Sequence, residues 1–192
     1  MERLSAWMLL LQKYYQGYLC KYADLQWEKL INALAQEDTE GFATLAKGYA
    51  QLKSTSPRNR REMMYEFNRL FVGPDAPKAP PYEACYRNPE RTLMQEETLA
   101  VRAFYRKAGL EIKNLNTQPD DFIAFELEFL LGMYADGSEE KTTYAKEFLQ
   151  KHLLVWTFDH VKEIRDNTKQ PVILSMATIL EGVSEALRKE LA

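Results

Sequence analysis

Histidine and cysteine, which commonly carry out catalysis or bind metals, are scarce in this chain of 192 residues. Its two histidines are His152 and His160, and its two cysteines are Cys20 and Cys85. The cysteines form no CxxC motif and have no histidine at metal-binding spacing, so the sequence predicts reduced thiols and neither a disulfide framework nor a zinc site. Neither histidine has a glutamate three residues before it, which excludes the Glu-x-x-His pairs of a di-iron bundle.

Sequence motifs of the common enzyme classes are missing as well. The chain contains no P-loop, GxGxxG, HExxH or GxSxG sequence. Cys85 could act as a nucleophile only with His152 or His160 as its base, and nothing in the sequence brings these residues together. We therefore predict a non-enzymatic protein without a metal or cofactor, in which both histidines are packing or helix-surface residues.

Composition and charge narrow the class of protein further. Hydrophobic residues make up 46% of the chain, which is enough for a full core in one or at most two domains. The 25 basic and 28 acidic residues nearly balance, so bulk charge indicates neither a nucleic-acid binder nor a membrane-surface protein. The apolar run at residues 6–11 is short and has no cleavage site after it, and we expect a cytosolic protein.

Apolar residues recur at helical spacing along most of the chain, and no strand pattern appears. We predict a single all-helical domain over residues 1–192, built as a bundle with one long proline-rich loop. The predicted helices cover about 4–19, 27–34, 39–53, 56–71, 93–108, 117–136, 139–167 with a break near 153–158, and 171–190.

Several of these boundaries have local signals. Ser56 precedes Pro57 at one helix start, and Pro171 opens the last helix. The stretch Thr117–Asp120 has a capping-box pattern and predicts the start of the sixth helix. Glycines in left-handed conformation are expected to end three helices. These are Gly73, Gly109 and Gly137.

The proline segment, residues 70–86, interrupts the helical pattern with the sequence LFVGPDAPKAPPYEACY. Loops longer than roughly 12 to 15 residues are uncommon in compact domains and are usually functional or disordered. Disorder would favour a polar composition, whereas this segment is rich in apolar and aromatic residues. We therefore expect it to fold onto the bundle.

Four blocks of this sequence resemble the TorD/DmsD family, over about residues 60–160. The blocks are FNRLFVGPDAPKAPPYEACY, TLMQEETLAVRAFYRKAGL, QPDDFIAFELEFLLGMY and FLQKHLLVWTFDHV. Members of that family are helical bundles that act as dedicated cytosolic chaperones for molybdenum-cofactor oxidoreductases. The resemblance implies the same fold and function for this chain.

The resemblance also implies where the client's signal peptide binds. The family's LF.GP and PP-aromatic pattern, which borders the binding groove, corresponds to Leu70, Phe71, Gly73, Pro74, Pro80, Pro81 and Tyr82. Its second signature, usually E-P-D-D-H, corresponds to Gln118, Pro119, Asp120, Asp121 and Phe122. Phe122 replaces the family histidine and Gln118 the glutamate, so the roles of that histidine, including nucleotide-linked ones, are open here.

A receptor for a twin-arginine signal segment needs carboxylates beside an apolar surface, because the segment combines two guanidinium groups with an apolar stretch. We expect Asp120 and Asp121 in the first turn of a helix to supply the carboxylates, with Glu126 and Glu128 following on that helix. Phe67, Phe71 and Tyr82 would supply apolar contacts, on a proline loop whose rigidity lowers the ordering cost of binding.

Purely structural explanations exist for the same residues. Helix capping alone accounts for Asp120 and Asp121, and Phe67 and Phe71 have the spacing of core residues. Glu126 and Glu128 cannot share one helix face, so at most one of them points into a given groove.

The sequence thus predicts a chaperone that binds the signal peptide and the apo form of a DMSO or TMAO reductase type of molybdoenzyme. It predicts no nucleic-acid partner and no stable membrane insertion. One alternative is a nitrate-reductase delta-type assembly factor, whose client lacks a cleaved signal, and another is a small nucleotide hydrolase. A monomer and a helix-swapped homodimer both stay open.

Overall fold

The computed structural model describes residues 2–18, 29, 31–37, 39–55, 60–113 and 117–191. Regular structure in this part of the chain is helical, with a single isolated β-bridge and no extended strand. The elements are a 3-10 helix Glu2–Leu4, α1 Ser5–Tyr15, α2 Ala43–Ser54, α3 Arg60–Phe71, α4 Ala84–Arg87, α5 Glu96–Lys107, α6 Ile123–Asp136, α7 Glu139–Lys151, α8 Leu153–Asn167 and α9 Pro171–Lys189. The predicted all-α fold is confirmed.

Helix ends follow the local sequence closely. Gly73, Gly109 and Gly137 all have positive φ, at 116°, 78° and 71°, and they follow the ends of α3, α5 and α6 as predicted. Pro171 is the first residue of α9, and the side chain of Gln170 accepts a hydrogen bond from the Ile173 N–H at 3.0 Å.

Other predicted boundaries differ or cannot be compared. The break predicted near 153–158 lies at His152, between α7 and α8. The start at Ser56 and Pro57 and most of the second predicted helix lie outside the described residues, although residues 31–34 are helical. The capping-box prediction is wrong, because Thr117 precedes an irregular stretch and α6 begins only at Ile123, without a side-chain cap.

The bundle is organised around α9, which packs most extensively on α2 and also contacts α8 and α1. The first helix, α1, crosses over to pack on α6, and α7 lies against both α6 and α8. Buried apolar side chains from these helices form one cluster. The long α9 is buried on most of its circumference, as expected for the central helix of a bundle. None of the described helices combines the length and apolar character that a bilayer crossing requires.

Candidate functional site

The structure brings together the two segments that the sequence marked for binding. Tyr82 of the proline segment and Phe122 form an isolated antiparallel bridge. The Ile123 N–H donates to the Pro81 carbonyl at 3.0 Å, and the Glu83 N–H donates to the Asp121 carbonyl at 3.2 Å. The rings of Tyr82 and Phe122 also pack, with centroids 5.4 Å apart. This short pairing attaches the proline segment to the start of α6, and we call it the junction.

Asp121 has a structural position inside this junction. Its side chain is fully buried and accepts hydrogen bonds from the Ala84 N–H and the Thr98 hydroxyl, both at 2.8 Å. Burial raises the pKa of its carboxyl group, while the two hydrogen bonds oppose that rise. The expectation that Asp121 lies in the first turn of a helix and faces a groove is wrong. Instead, Asp121 ties the start of α4 to α5.

Asp120 is also buried, and it forms an ion pair with Arg102 of α5. The guanidinium Nε and Nη2 donate to Oδ1 and Oδ2 at 3.0 Å and 2.7 Å, which is the bidentate geometry of a strong pair. The Tyr105 hydroxyl donates to the Asp120 carbonyl at 3.1 Å. The Asp120 carboxylate is therefore paired with an arginine of its own chain. Like Asp121, Asp120 precedes α6, which begins at Ile123.

Glu126 is fully buried in α6, and neither of its carboxyl oxygens has a hydrogen-bond partner in the described part of the chain. Burial raises its pKa well above the ordinary value, and the nearby charges of Glu83 and Asp121 raise it further. The neighbouring Trp156 indole lowers the pKa of Glu126. Glu126 therefore faces the core, and the prediction that it presents a carboxylate to a groove is at odds with its burial.

Most of the remaining predicted residues form the core beneath the junction. The rings of Phe67 and Phe71 lie 4.9 Å apart and pack edge-on against Tyr14 and Tyr15 of α1. The buried members of the predicted set are Phe67, Leu70, Phe71, Pro80, Pro81, Pro119 and Phe122. Gly73 and Tyr82 are half-buried and Pro74 is exposed. Of the aromatic residues predicted to bind, Tyr82 is the one that reaches the surface.

The fold also brings two buried histidines into this region. His152 Nδ1 lies 2.8 Å from a carboxylate oxygen of Glu83, a residue of the proline segment that sequence reasoning missed. Both ring nitrogens of His160 are hydrogen-bonded, to the hydroxyls of Tyr15 and Tyr86, each at 2.8 Å. Burial lowers the pKa of His160 to about 3, so the ring is neutral.

Both histidines are therefore packing residues, and the helix-surface alternative is excluded. A signal was available for His160, which follows Trp156 by four positions and precedes Ile164 by four, on the apolar stripe of α8.

An open cavity of about 570 Å³ lies beside the junction, between α5 and α6. Gln118 connects it to the junction, because its amide donates to the Tyr82 hydroxyl at 3.4 Å and it also lines the cavity. We call this the α5–α6 cavity. Its lining consists of Tyr105, Leu110, Glu111, Ile112, Lys113, Thr117, Gln118, Phe125, Glu128, Phe129 and Gly132.

The α5–α6 cavity combines an apolar wall with charged groups at its edge. Exposed side chains of Glu111, Lys113 and Glu128 supply the charges. Glu111 Oε1 lies 3.5 Å from Arg106 Nη2, and the Glu128 carboxylate accepts a hydrogen bond from the Gln12 amide at 3.2 Å. Such a cavity can hold an apolar group beside a cation. In the residues described, no group of three or more His, Cys, Asp or Glu side chains could hold a metal ion.

Comparison with known proteins identifies relatives of this chain. Tat proofreading chaperone DmsD of Salmonella typhi is 25% identical over 130 residues, which cover 67% of this chain and 62% of the relative. A probable Tat proofreading chaperone DmsD of Haemophilus influenzae is 25% identical over 99 residues, or 52% of this chain and 47% of the relative. Chaperone protein TorD of Histophilus somni is 27% identical over 156 residues, which cover 81% of this chain and 74% of the relative.

The matched region covers less than two thirds of each of these two DmsD proteins. A family model described as nitrate reductase delta subunit matches residues 23–161, which include the proline segment, the junction and α5 through most of α8. This match extends over more than half of the chain. The chain therefore belongs to the nitrate reductase delta subunit family, and the relatives named DmsD and TorD confirm the TorD/DmsD resemblance of its four sequence blocks.

Proposed function

We propose that this chain is a cytosolic, non-catalytic chaperone for a molybdenum-cofactor oxidoreductase. It binds the client's twin-arginine signal segment and the cofactor-free enzyme, and holds both back until the cofactor has been inserted. Family membership supports this function, as do relatives that are named Tat proofreading chaperone DmsD and chaperone protein TorD.

One structural observation carries the proposal. The two segments that resemble the family's signal-binding signatures meet at the Tyr82–Phe122 bridge, directly beside the α5–α6 cavity. The partly exposed Tyr82 and Gln118 form the edge shared by both features. The apolar wall suits the apolar stretch of a signal segment, and nearby carboxylates suit its arginines.

An affinity purification tests this function directly. The tagged chain is recovered from its own organism after growth without oxygen, and retained proteins are identified by mass spectrometry. Recovery of a molybdoenzyme catalytic subunit that still carries its signal peptide is the expected result. Background proteins alone, even when candidate reductases are highly expressed, would contradict the proposal.

Binding of an isolated peptide separates two kinds of chaperone. A synthetic peptide with two adjacent arginines followed by about a dozen apolar residues represents the signal segment. Measurable binding by isothermal titration calorimetry supports a receptor for cleaved signals. If the chain retains the enzyme subunit but not this peptide, the nitrate-reductase delta-type alternative is correct.

A pair of tyrosine variants locates the binding surface in the same assay. Tyr82→Ala should weaken peptide binding by roughly tenfold, the effect of truncating a central aromatic contact. Tyr18→Ala is the matched control, since Tyr18 is 40% exposed and follows α1 rather than the junction. Equal losses for both variants would remove Tyr82 from the binding surface.

A further inference from the structure

Three glycines of the described residues lie inside helices, and the structure explains two of them differently from the third. A Cβ added to Gly48 of α2 would lie 2.8 Å from the Ile179 backbone nitrogen, and one added to Gly182 of α9 would lie 2.4 Å from the Leu45 nitrogen. These two glycines are required because α2 and α9 approach each other closely. Apart from its chain neighbours and the backbone of its own helix, a Cβ added to Gly132 of α6 would meet no atom of the described chain within 4 Å. Close packing within the described protein therefore does not explain Gly132.

Gly132 has no conformational reason either. It lies in the interior of a continuous helix, where glycine costs stability relative to alanine because it loses more backbone entropy on folding. Its φ is not positive, in contrast to Gly73, Gly109 and Gly137. A glycine that destabilises its helix and relieves no clash points to a requirement for open space.

The open space at Gly132 belongs to the α5–α6 cavity. Phe125, Glu128, Phe129 and Gly132 recur at three- and four-residue spacing and together form the α6 wall of this cavity. Because Gly132 lines the cavity, a side chain at position 132 would occupy part of this space, which residues 110–113 also line. The volume of about 570 Å³ is within the range of roughly 300–1,000 Å³ that is usual for ligand pockets.

We propose that the α5–α6 cavity receives an apolar side chain from the signal segment of the client, and that Gly132 keeps the cavity open for it. This inference rests on the proposed function. The apolar wall contacts the apolar stretch of the segment, while Glu128 and Glu111 attract the neighbouring arginines. Lys113 on the same edge disfavours a second cation close to it and so favours one orientation of the peptide.

A substitution that fills the cavity tests this assignment. Gly132→Leu places an apolar side chain where the ligand would lie and improves the helix propensity of α6. We expect it to weaken binding of the synthetic twin-arginine peptide by at least about tenfold, since the buried area of one aliphatic side chain is lost from the complex. Its thermal midpoint should equal or exceed that of the unaltered protein.

Ala103→Leu is the matched control. Ala103 is exposed on α5, two positions from Tyr105 and so on the other side of that helix, and it does not line the cavity. This variant adds the same bulk and should leave the affinity for the peptide unchanged.

A second peptide makes the test specific to apolar contact. Serine replaces the apolar residues of the synthetic peptide while the arginine pair is kept. We expect this peptide to bind the unaltered protein at least about tenfold more weakly than the original peptide does. The two peptides should bind the Gly132→Leu variant with nearly equal affinity.

The outcomes separate the two proposals. If the unaltered protein binds neither peptide and retains no enzyme subunit, the chaperone function itself is wrong and this inference fails with it. If the unaltered protein binds the original peptide and Gly132→Leu binds it equally well, the function stands and the cavity assignment is overturned. A lower thermal midpoint for Gly132→Leu would also contradict it, because the space at position 132 would then not be open.

Discussion

The inner and outer faces of residues 117–136 differ sharply, although one continuous stretch of chain carries both. On the inner face, Asp120, Asp121 and Glu126 are buried among polar groups from α4, α5 and α8. On the outer face, Gln118 and Glu128 line an open cavity. Asp121 therefore helps to hold the proline segment in place and Asp120 holds α5, whereas Gln118 and Glu128 contribute to the accessible surface.

Contacts of the inner face hold the proposed binding region in place without a ligand. The Asp121 carboxylate joins Ala84 of the proline segment to Thr98 of α5. The Tyr82–Phe122 bridge joins the segment to the residue before α6, and Glu83 contacts His152 between α7 and α8. A peptide that docks on the outer face therefore meets a surface whose ordering cost has already been met by folding. The following substitutions test this division of roles, beginning with the largest expected effect.

Asp121→Ala should lower the free energy of unfolding by about 2–4 kcal/mol, because the Ala84 N–H and the Thr98 hydroxyl would be left buried without an acceptor. Urea denaturation followed by circular dichroism measures this change. Asp75→Ala, at an exposed position in the proline segment, should stay within about 0.5 kcal/mol of the unaltered protein. Similar losses for the two variants would contradict the structural role of Asp121.

Glu126→Met should raise the free energy of unfolding by about 1–3 kcal/mol at pH 8, since it removes a buried carboxyl group without a hydrogen-bond partner. Helix propensity and side-chain volume change little.

The gain from Glu126→Met should depend on pH. The pKa of Glu126 is raised in the folded protein, mainly by burial, so at pH values between its unfolded and folded pKa the folded state binds more protons. Stability of the unaltered protein is therefore retained below the unfolded pKa, about 4.3, and falls as pH rises through the folded pKa. Denaturation at pH 4 and pH 8 should show a smaller advantage for Glu126→Met at pH 4. An advantage that is independent of pH would mean that folding does not raise the pKa of Glu126.

Gly132→Ala should raise the free energy of unfolding by about 1 kcal/mol, the difference between the two residues in a helix interior. For a chain of this size the thermal midpoint would rise by about 2–4 °C. Gly182→Ala provides the contrast, because its Cβ would lie 2.4 Å from the Leu45 backbone nitrogen and should destabilise the α2–α9 contact. Destabilisation by both substitutions would remove the distinction between the two glycines.

Gln118→Glu should have the smallest effect. It adds a carboxylate beside Tyr82 at the edge of the cavity and should strengthen binding of the twin-arginine peptide about two- to fivefold at low salt, with little change in stability. The gain should disappear at about 1 M salt, where the Debye length is about 3 Å. A gain that persists in high salt would indicate a contact other than charge attraction.

Local sequence was sufficient to predict most elements of the fold. The helical spacing of apolar residues and the glycines at 73, 109 and 137 predicted the helices and several of their ends. The capping-box prediction failed because Thr117 and Asp120 have the right types and spacing, yet the following residues pair with the proline segment instead of starting a helix. A local pattern gives no account of such a competing contact.

The candidate site was predicted less well, for a related reason. Sequence indicated that the proline segment and residues 118–122 act together, and the structure joins them at Tyr82 and Phe122. It assigned the carboxylates of Asp121 and Glu126 to a peptide-binding groove, because a twin-arginine segment needs carboxylates beside an apolar surface. It offered no reason to select Gly132, whose importance depends on the space around it.

Residue spacing and patterns along the chain were enough to predict the all-helical class, the family resemblance and the two segments that meet. Tertiary structure alone decided which side of each segment is buried. Burial depends on partners distant in sequence, such as Thr98 for Asp121, Arg102 for Asp120 and His152 for Glu83. The same chemistry that makes a carboxylate suitable for binding an arginine of a client also allows it to hold the protein's own donors, and only the folded arrangement distinguishes the two uses.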